Sequence, residues 1–321
     1  TPIPTTTAGA VRVWGGSYGA RNLHAHAGTT TVGRVGVLVE TFRQGADGFK
    51  VLDSGDPTGF AKEDLLGKLE WSSAPGRKLT HTISLKAGQV REESHETYLG
   101  LTLSDLGRDP YRRYAGSAKD RMRVLQDQAS AIYTVRFPSG AALAATVYRT
   151  NTARSWYKLD NVKDSTGVAV GISALLKDPA AHPHAFDIIR GSASADNALQ
   201  VRSNDRNYQS SGAQLVFTRT VEGPRYKQAL EVGMRVHTDY MDRFQWNDGY
   251  RMVDGEMRLT SSGTPGTESN RIAEASAVAG HAAYSIGKGR FSLHPGMRVE
   301  YIEMGQDEYG SFMVVLLSGT I

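Results

Sequence analysis

From Phe291 to Ile302 the chain alternates strictly. Phe291, Leu293, Pro295, Met297, Val299 and Tyr301 fall on one side, and Ser292, His294, Gly296, Arg298 and Glu300 on the other. A period of two sends these sets to opposite faces of an extended strand. The run is longer than the usual ~5–6 residues of a globular strand and close to what a tilted strand needs to cross a bilayer.

The pattern recurs along the chain. Val35, Val37 and Val39 alternate with Gly36, Leu38 and Glu40; Leu65, Gly67, Leu69 and Trp71 with Leu66, Lys68 and Glu70; Ile83, Leu85 and Ala87 with Ser84 and Lys86. Further on, Ala129, Ala131, Tyr133, Val135 and Phe137 oppose Ser130, Thr134 and Arg136, and Leu143, Ala145 and Val147 oppose Thr146 and Tyr148. Ala213, Leu215 and Phe217 oppose Gln214 and Thr218. Leu230, Val232, Met234 and Val236 oppose Glu231, Gly233, Arg235 and His237. About eleven antiparallel strands are predicted. Tight turns (APGR, PSGA, EGPR, GKGR) alternate with long polar stretches, Arg91–Arg123, Arg154–Asn207 and Asp239–Asn270. Short turns on one edge and long loops on the other mark outer-membrane barrels. Charges repeated on one face, strand after strand, imply a hydrated lumen rather than a packed interior. The fold class predicted is therefore all-β, an antiparallel transmembrane barrel ahead of a soluble β-solenoid or sandwich. Leu230, Val232, Met234, Val236, Met297, Val299 and Tyr301 are expected to face lipid, and Arg235, Arg298 and Glu300 the lumen.

Composition sharpens this picture at three points. The chain has no Cys, so disulfides and thiolate metal sites are ruled out. No apolar run approaches the ~18 residues of a membrane-spanning helix, which leaves a membrane barrel open because its spans dilute each apolar residue with a polar one. The net charge of +4 over 321 residues comes without a basic block, so no nucleic-acid partner is expected. Thr1-Pro2-Ile3-Pro4 lacks the charged and apolar regions of a signal peptide. Neither end reads as a natural terminus, and the chain is expected to be part of a longer protein.

Candidate chemistry is sparse. There is no G-x-S-x-G elbow, no H-E-x-x-H and no Cys nucleophile, so a β-rich enzyme is a distant alternative. Gly287-Lys288-Gly289 is a turn, since no strand-then-helix context follows it. His182-Pro183-His184 offers two metal ligands without a third, and is expected to be a loop with two exposed histidines; no metal site is predicted. His24 and His26 are expected to line the lumen. Trp14, Trp71, Tyr133, Tyr148, Trp156 and Tyr157 are candidates for aromatic girdles. Arg108, Arg112, Arg113, Arg121 and Arg123 crowd one polar stretch, where guanidinium groups could hold carboxylates, although six acids there nearly balance them.

Glu96-Thr97-Tyr98-Leu99-Gly100-Leu101-Thr102, followed by Asp109-Pro110-Tyr111-Arg112-Arg113-Tyr114, resembles the TonB-dependent outer-membrane receptors, in the branch of the ferric dicitrate transporter. Other segments match in the same order: Gly16–Gly19, Asp47-Gly48-Phe49 with Thr58-Gly59-Phe60, Val147–Thr150 through Trp156–Leu159, Asp242–Gln245, Leu259–Gly263 and Pro295–Glu300. The resemblance covers nearly the whole chain. It implies a 22-stranded barrel filled by a separate N-terminal plug, in the outer membrane of a Gram-negative bacterium. Residues 1–9 would be the plug-to-barrel junction and residues 10–321 the first half of the barrel, about eleven of 22 strands; plug, TonB box and second half are missing. The implied partners are the lipid bilayer, TonB, and a ferric siderophore or ferric citrate-like ligand, with no cofactor. Ligand-binding positions carried over from the family are Arg112, Arg113, Arg121 and Arg206. A porin-like barrel, or TonB-dependent uptake of cobalamin or a sugar, are the alternatives. The apolar run Phe312–Leu317 is unexpected where a polar extracellular loop should lie.

Overall fold

The computed structural model describes residues 1–31, 34–74, 76–224, 226–309 and 314–317. Its strands in chain order are β1 (Ala8–Gly15), β2 (Arg21–Thr31), β3 (Val35–Ala46), β4 (Val51–Leu52), β5 (Phe60–Ser72), β6 (Thr80–Ser94), β7 (Arg112–Arg113), β8 (Arg121–Arg136) and β9 (Ala141–Lys163). They continue with β10 (Ala169–Gly171), β11 (Leu199–Glu222), β12 (Lys227–Val253), β13 (Glu256–Ser261), β14 (Ser269–Lys288), β15 (Phe291–Leu293), β16 (Gly296–Tyr309) and β17 (Val314–Leu317). The eleven long strands pair in the order β1-β2-β3-β5-β6-β8-β9-β11-β12-β14-β16, with β17 at the far edge and no crossover. The first and last strands of that order do not meet, so the sheet is an open wall, an incomplete antiparallel transmembrane barrel.

The opening run Phe291–Ile302 forms one strand with a notch. β15 and β16 keep a single register against β14, Ile286 opposite Leu293 and Ala283 opposite Gly296. The break falls at His294–Pro295, where proline has no N–H to give the ladder. Its carbonyl still accepts from the Tyr284 N–H at 2.9 Å.

Register turns the alternation into two faces. Val35, Trp71, Ile83, Tyr133, Ala145, Leu215, Met234, Gly280 and Val299 lie side by side across nine strands. On this face Val232, Met234, Val236, Met297, Val299 and Tyr301 are between 43% and 68% exposed, an apolar belt that a water-facing wall would not carry; Leu230 joins them half-buried. The opposite face carries Lys68, Lys86, Ser130, Tyr148 and His237 in one row, with Arg235, Arg298 and Glu300. Of the girdle candidates, Trp71 and Tyr133 are in the belt. Trp14, Tyr148 and Trp156 point to the polar face, as their even positions in β1 and β9 require.

The polar stretches are shorter than the sequence predicts. β9, β11, β12 and β14 run for 23, 24, 27 and 20 residues, well past the ~9–11 a tilted span needs. Residues 91–94, 121–123, 154–163, 199–207, 239–253 and 269–270 are strand, not loop. Above the belt polar side chains occur on both faces and loops cover part of one, so the two-residue alternation of hydrophobicity fades while the ladder continues. The loops that remain also hold helices that alternation does not reveal: α1 (Leu103–Arg108), α2 (Ile172–Lys177) and α3 (Pro183–Ile189). His182 and His184 sit at the start of α3, where His184 is exposed and His182 half-buried.

These loops build a small core at the long-loop end. Leu99, Tyr114, Leu175, Ile188 and Ile189 pack on Leu159, Val162, Leu199, Val201 and Met252, which lie on the belt's face higher up the wall. Tyr157 belongs to this upper region, its hydroxyl bonded to Asp248 at 2.6 Å. Of the Phe312–Leu317 run, residues 312 and 313 lie outside the described residues, and Val314–Leu317 pair with β16 as β17.

Candidate anion site on the polar face

One row of the ladder concentrates positive charge. In register across β5, β6, β8, β9, β11, β12, β14 and β16 stand Lys62, Glu92, Val124, Arg154, Arg206, Arg243, Arg271 and Glu308. All share the face of Lys68 and Arg235. Four arginines therefore occupy four adjacent strands, each opposite the next, with Cα spacings of ~4.5–5.5 Å. Like charges so placed repel unless something anionic lies between them.

The ends of the row are neutralised and its centre is not. Lys62 pairs with Glu92 at 3.1 Å, and Arg271 with Glu308. Among the described residues no carboxylate pairs with Arg154, Arg206 or Arg243; the hydrogen-bond partners of Arg206 and Arg243 are neutral. Arg206 donates from Nε to Asn204 Oδ1 at 3.0 Å and from Nη1 to the Tyr208 hydroxyl at 3.2 Å, and Arg243 Nη2 donates to Gln245 Oε1 at 2.8 Å. The Arg154 guanidinium lies 6.0 Å from the Trp156 ring and 5.8 Å from the Tyr208 ring. The Nε atoms of Arg154, Arg243 and Arg271 are buried without an acceptor, as is the Trp156 indole nitrogen. Buried donors without partners are rare and costly. Above them Lys158 sits 3.4 Å over the Tyr98 ring, which folds edge-on against Trp156.

The arginines predicted from sequence divide between this row and the loop core. Arg206 is in the row. Arg112 forms a two-point bond to Asp53, 2.8 Å from Nε and 2.9 Å from Nη2, which ties β7 to the β4 loop. Arg113 donates to the Pro110 carbonyl at 2.8 Å. Arg121 is paired with Glu93 on the belt's side of the sheet, the side its odd position in β8 dictates. The structure does not bring these three to Arg206. Arg154, Arg243 and Arg271 were missed because they fall in stretches read as loop or loop edge. One signal was available: Arg206 and Arg243 stand equally far from the Gly223–Tyr226 turn, so a tight hairpin must pair them.

Ionisation in the loop core follows burial and partners. The Tyr114 hydroxyl, 2.6 Å from Asp105 Oδ2, holds that carboxyl below the usual range. Burial pushes Asp120 up to about 7, against the pull of the Leu159 and Tyr98 N–H groups, 2.8 and 3.0 Å from its oxygens.

No family model and no curated protein matches the sequence. Solved structures do match in shape. The ferric citrate transporter FecA, unliganded, superposes with a TM-score of 0.66 at 16% identity, covering 96% of this chain and 40% of FecA. The siderophore receptor PiuA from Acinetobacter baumannii gives 0.68 at 10% identity, covering 98% and 45%. The pyoverdine receptor FpvA from Pseudomonas aeruginosa PAO1, bound to pyoverdine, gives 0.64 at 12%, covering 100% and 43%. The chain spans less than half the length of each. Its fold is that of a barrel segment of the TonB-dependent receptors.

Proposed function

We propose that the intact protein takes up an anionic ferric chelate, of the citrate or carboxylate-siderophore kind, across the outer membrane of a Gram-negative bacterium, with energy supplied through TonB. The observation that carries this reading is the row Arg154, Arg206, Arg243 and Arg271, four guanidinium groups on the lumen side, of which the first three lack a carboxylate partner among the described residues. A guanidinium fork matches a carboxylate at two points. An anion seated here would supply the acceptors that the buried Nε donors lack and relieve the mutual repulsion of the row. A sugar or a corrinoid gives no reason for such crowding. The protein works by binding and passage, with no bond made or broken, as its shape neighbours, all transport receptors, suggest.

The first residues support a junction from a domain inside the barrel. Thr1–Pro4 run across the polar face: the Pro4 carbonyl accepts from Thr30 Oγ1 at 2.6 Å, the Thr1 carbonyl from Lys68 Nζ at 2.6 Å, and Ile3 and Pro4 cover Gly36 and Gly28. A plug tethered there would pull on the wall beside the lumen.

Iron-limited growth of a strain carrying the intact gene tests the proposal against a panel of chelates. Rescue by ferric citrate or a carboxylate siderophore, lost when TonB is deleted, is expected. Import of cobalamin or a sugar with no ferric chelate rescuing growth would overturn it.

A further inference from the structure

A second cluster lies lower on the polar face, at the opening edge of the sheet. His24 and His26, two apart on β2, project to the same side, and Glu40 on β3 stands directly opposite His26. One imidazole nitrogen of each histidine and a Glu40 carboxylate oxygen all lie within 4.8 Å of one another. His24 Nε2 is 2.7 Å from Glu40 Oε1, and the two imidazoles are 5.5 Å apart between centroids. His26 Nδ1 is buried with no partner. Glu40 is also contacted by the Thr1 hydroxyl.

We propose that His24, His26 and Glu40 form a site for a divalent first-row transition-metal ion. Two neutral imidazoles and one carboxylate are the donor set that Zn²⁺, Ni²⁺, Cu²⁺ and Fe²⁺ accept, and three protein ligands leave at least one position open to water or a passing donor atom. The ion replaces the proton that now links His24 to Glu40 and gives the orphaned side of His26 a partner. Metal–nitrogen bonds of ~2.0–2.1 Å set tetrahedral donors ~3.3 Å apart; His24 and Glu40, now 2.7 Å apart, open slightly, and the other donor pairs, now within 4.8 Å, close by at most ~1.5 Å. The backbone resists little, because both strands are already locked in register. Across the ladder, Asn22 and Gln44 continue the row of Lys62. His24 and His26 therefore stand one and two inward positions below the arginine row, on the side of the short turns. An ion held here sits on the lumen wall beyond the anion site and ties β2, β3 and the segment from Thr1 together. It is distinct from the chelated iron, and does not depend on what the arginines bind.

Co²⁺ titration of the intact protein, purified in detergent, tests the site by its visible d–d absorption. One equivalent of Co²⁺ giving tetrahedral or five-coordinate bands, displaced by Zn²⁺, is expected. Replacing an outer partner of a ligand typically costs 10–100-fold in metal affinity, so His24→Ala and His26→Ala should each weaken binding by more than about 100-fold and Glu40→Gln by at least about 10-fold. The isosteric Glu40→Gln guards against loss through misfolding, and each variant must retain the parent's strand circular dichroism. The pair His182→Ala/His184→Ala should bind Co²⁺ like the parent, and so should Arg154→Ala/Arg206→Ala, which separates this site from the chelate site. No bands at millimolar Co²⁺, or bands unchanged by the His24 and His26 substitutions, would overturn the proposal.

Discussion

Two groups of arginines in this chain look alike in sequence and differ in what surrounds them. Arg112, Arg113 and Arg121 belong to the loop core and its margin, and each has an acceptor: Asp53, the Pro110 carbonyl and Glu93. Arg154, Arg206 and Arg243 stand on the lumen face of the upper wall among Asn204, Tyr208, Gln245 and Trp156, with no carboxylate paired to them among the described residues. Arg112, with Nε and Nη2 both taken by Asp53, stabilises a loop. A guanidinium left with neutral partners is free to take an external anion. The difference lies in the company each residue keeps, because all are half-buried.

The largest expected effect breaks the second group. Hydrogen bonds to charged groups are worth ~1.5–3 kcal/mol each, so Arg154→Ala/Arg206→Ala/Arg243→Ala should weaken ferric chelate binding by a hundredfold or more. In the same titration Arg112→Ala/Arg113→Ala should stay within a few-fold of the parent. Equal losses from both sets would erase the distinction between them.

The next sharpens it from the other direction. Val124 lies in the row directly opposite Arg154, so Val124→Glu supplies the missing carboxylate from within. Chelate affinity should fall about tenfold while thermal stability stays within about 1 kcal/mol of the parent, because the new pair with Arg154 is offset by repulsion from Glu92 on the other side of position 124. Higher affinity would mean that Arg154 does not meet the ligand.

The loop core should respond to pH through Asp120. Its folded pKa is raised to about 7, so its contribution to stability is complete below the unfolded value of ~3.9 and is lost as pH rises through about 7. Denaturant titration followed by Trp156 fluorescence should show the loop core opening at lower denaturant at pH 8 than at pH 5.5. The chelate affinity of the arginine row should change much less. A loop core equally stable at both pH values would contradict the assignment.

The smallest effect belongs to Arg112. Arg112→Ala leaves Asp53 without its partner and should loosen the β4–β7 pairing by about 1–2 kcal/mol. Limited proteolysis between residues 47 and 59 should quicken, with chelate binding unchanged.

The lower wall was readable because belt and lumen demand opposite polarity at every step: Val232, Met234 and Val236 against Arg235 and His237 leave one solution. Higher up, Arg154-Ser155 and Asp205-Arg206 carry polar side chains to both faces, so sequence keeps the strand but loses the contrast that announces it. The arginine row was harder still. Each tight hairpin is a mirror that pairs Arg206 with Arg243, or Arg271 with Glu308, from a count of residues. Joining those pairs across the long connections 164–198 and 254–268 needs the register that only folding fixes. The pairing of His26 with Glu40 follows from the same count across the short β2–β3 connection, and was missed because only the two histidines were weighed. The loop core follows no repeat at all; its helices are short and owe their place to the apolar patch on β9, β11 and β12.

The height of the wall has a consequence for encounter. β12 has 27 residues, and at ~3.3 Å per residue and a tilt near 45° it rises roughly 60 Å, more than twice the ~25 Å lipid band. Its crown therefore stands tens of ångströms clear of the bilayer, above the anionic headgroups that would repel a negatively charged solute. With a Debye length near 8 Å in physiological salt, the membrane's own charge is largely screened at that height. A solute approaching the crown from the bulk would therefore meet little of the repulsion that a negatively charged surface exerts on anions.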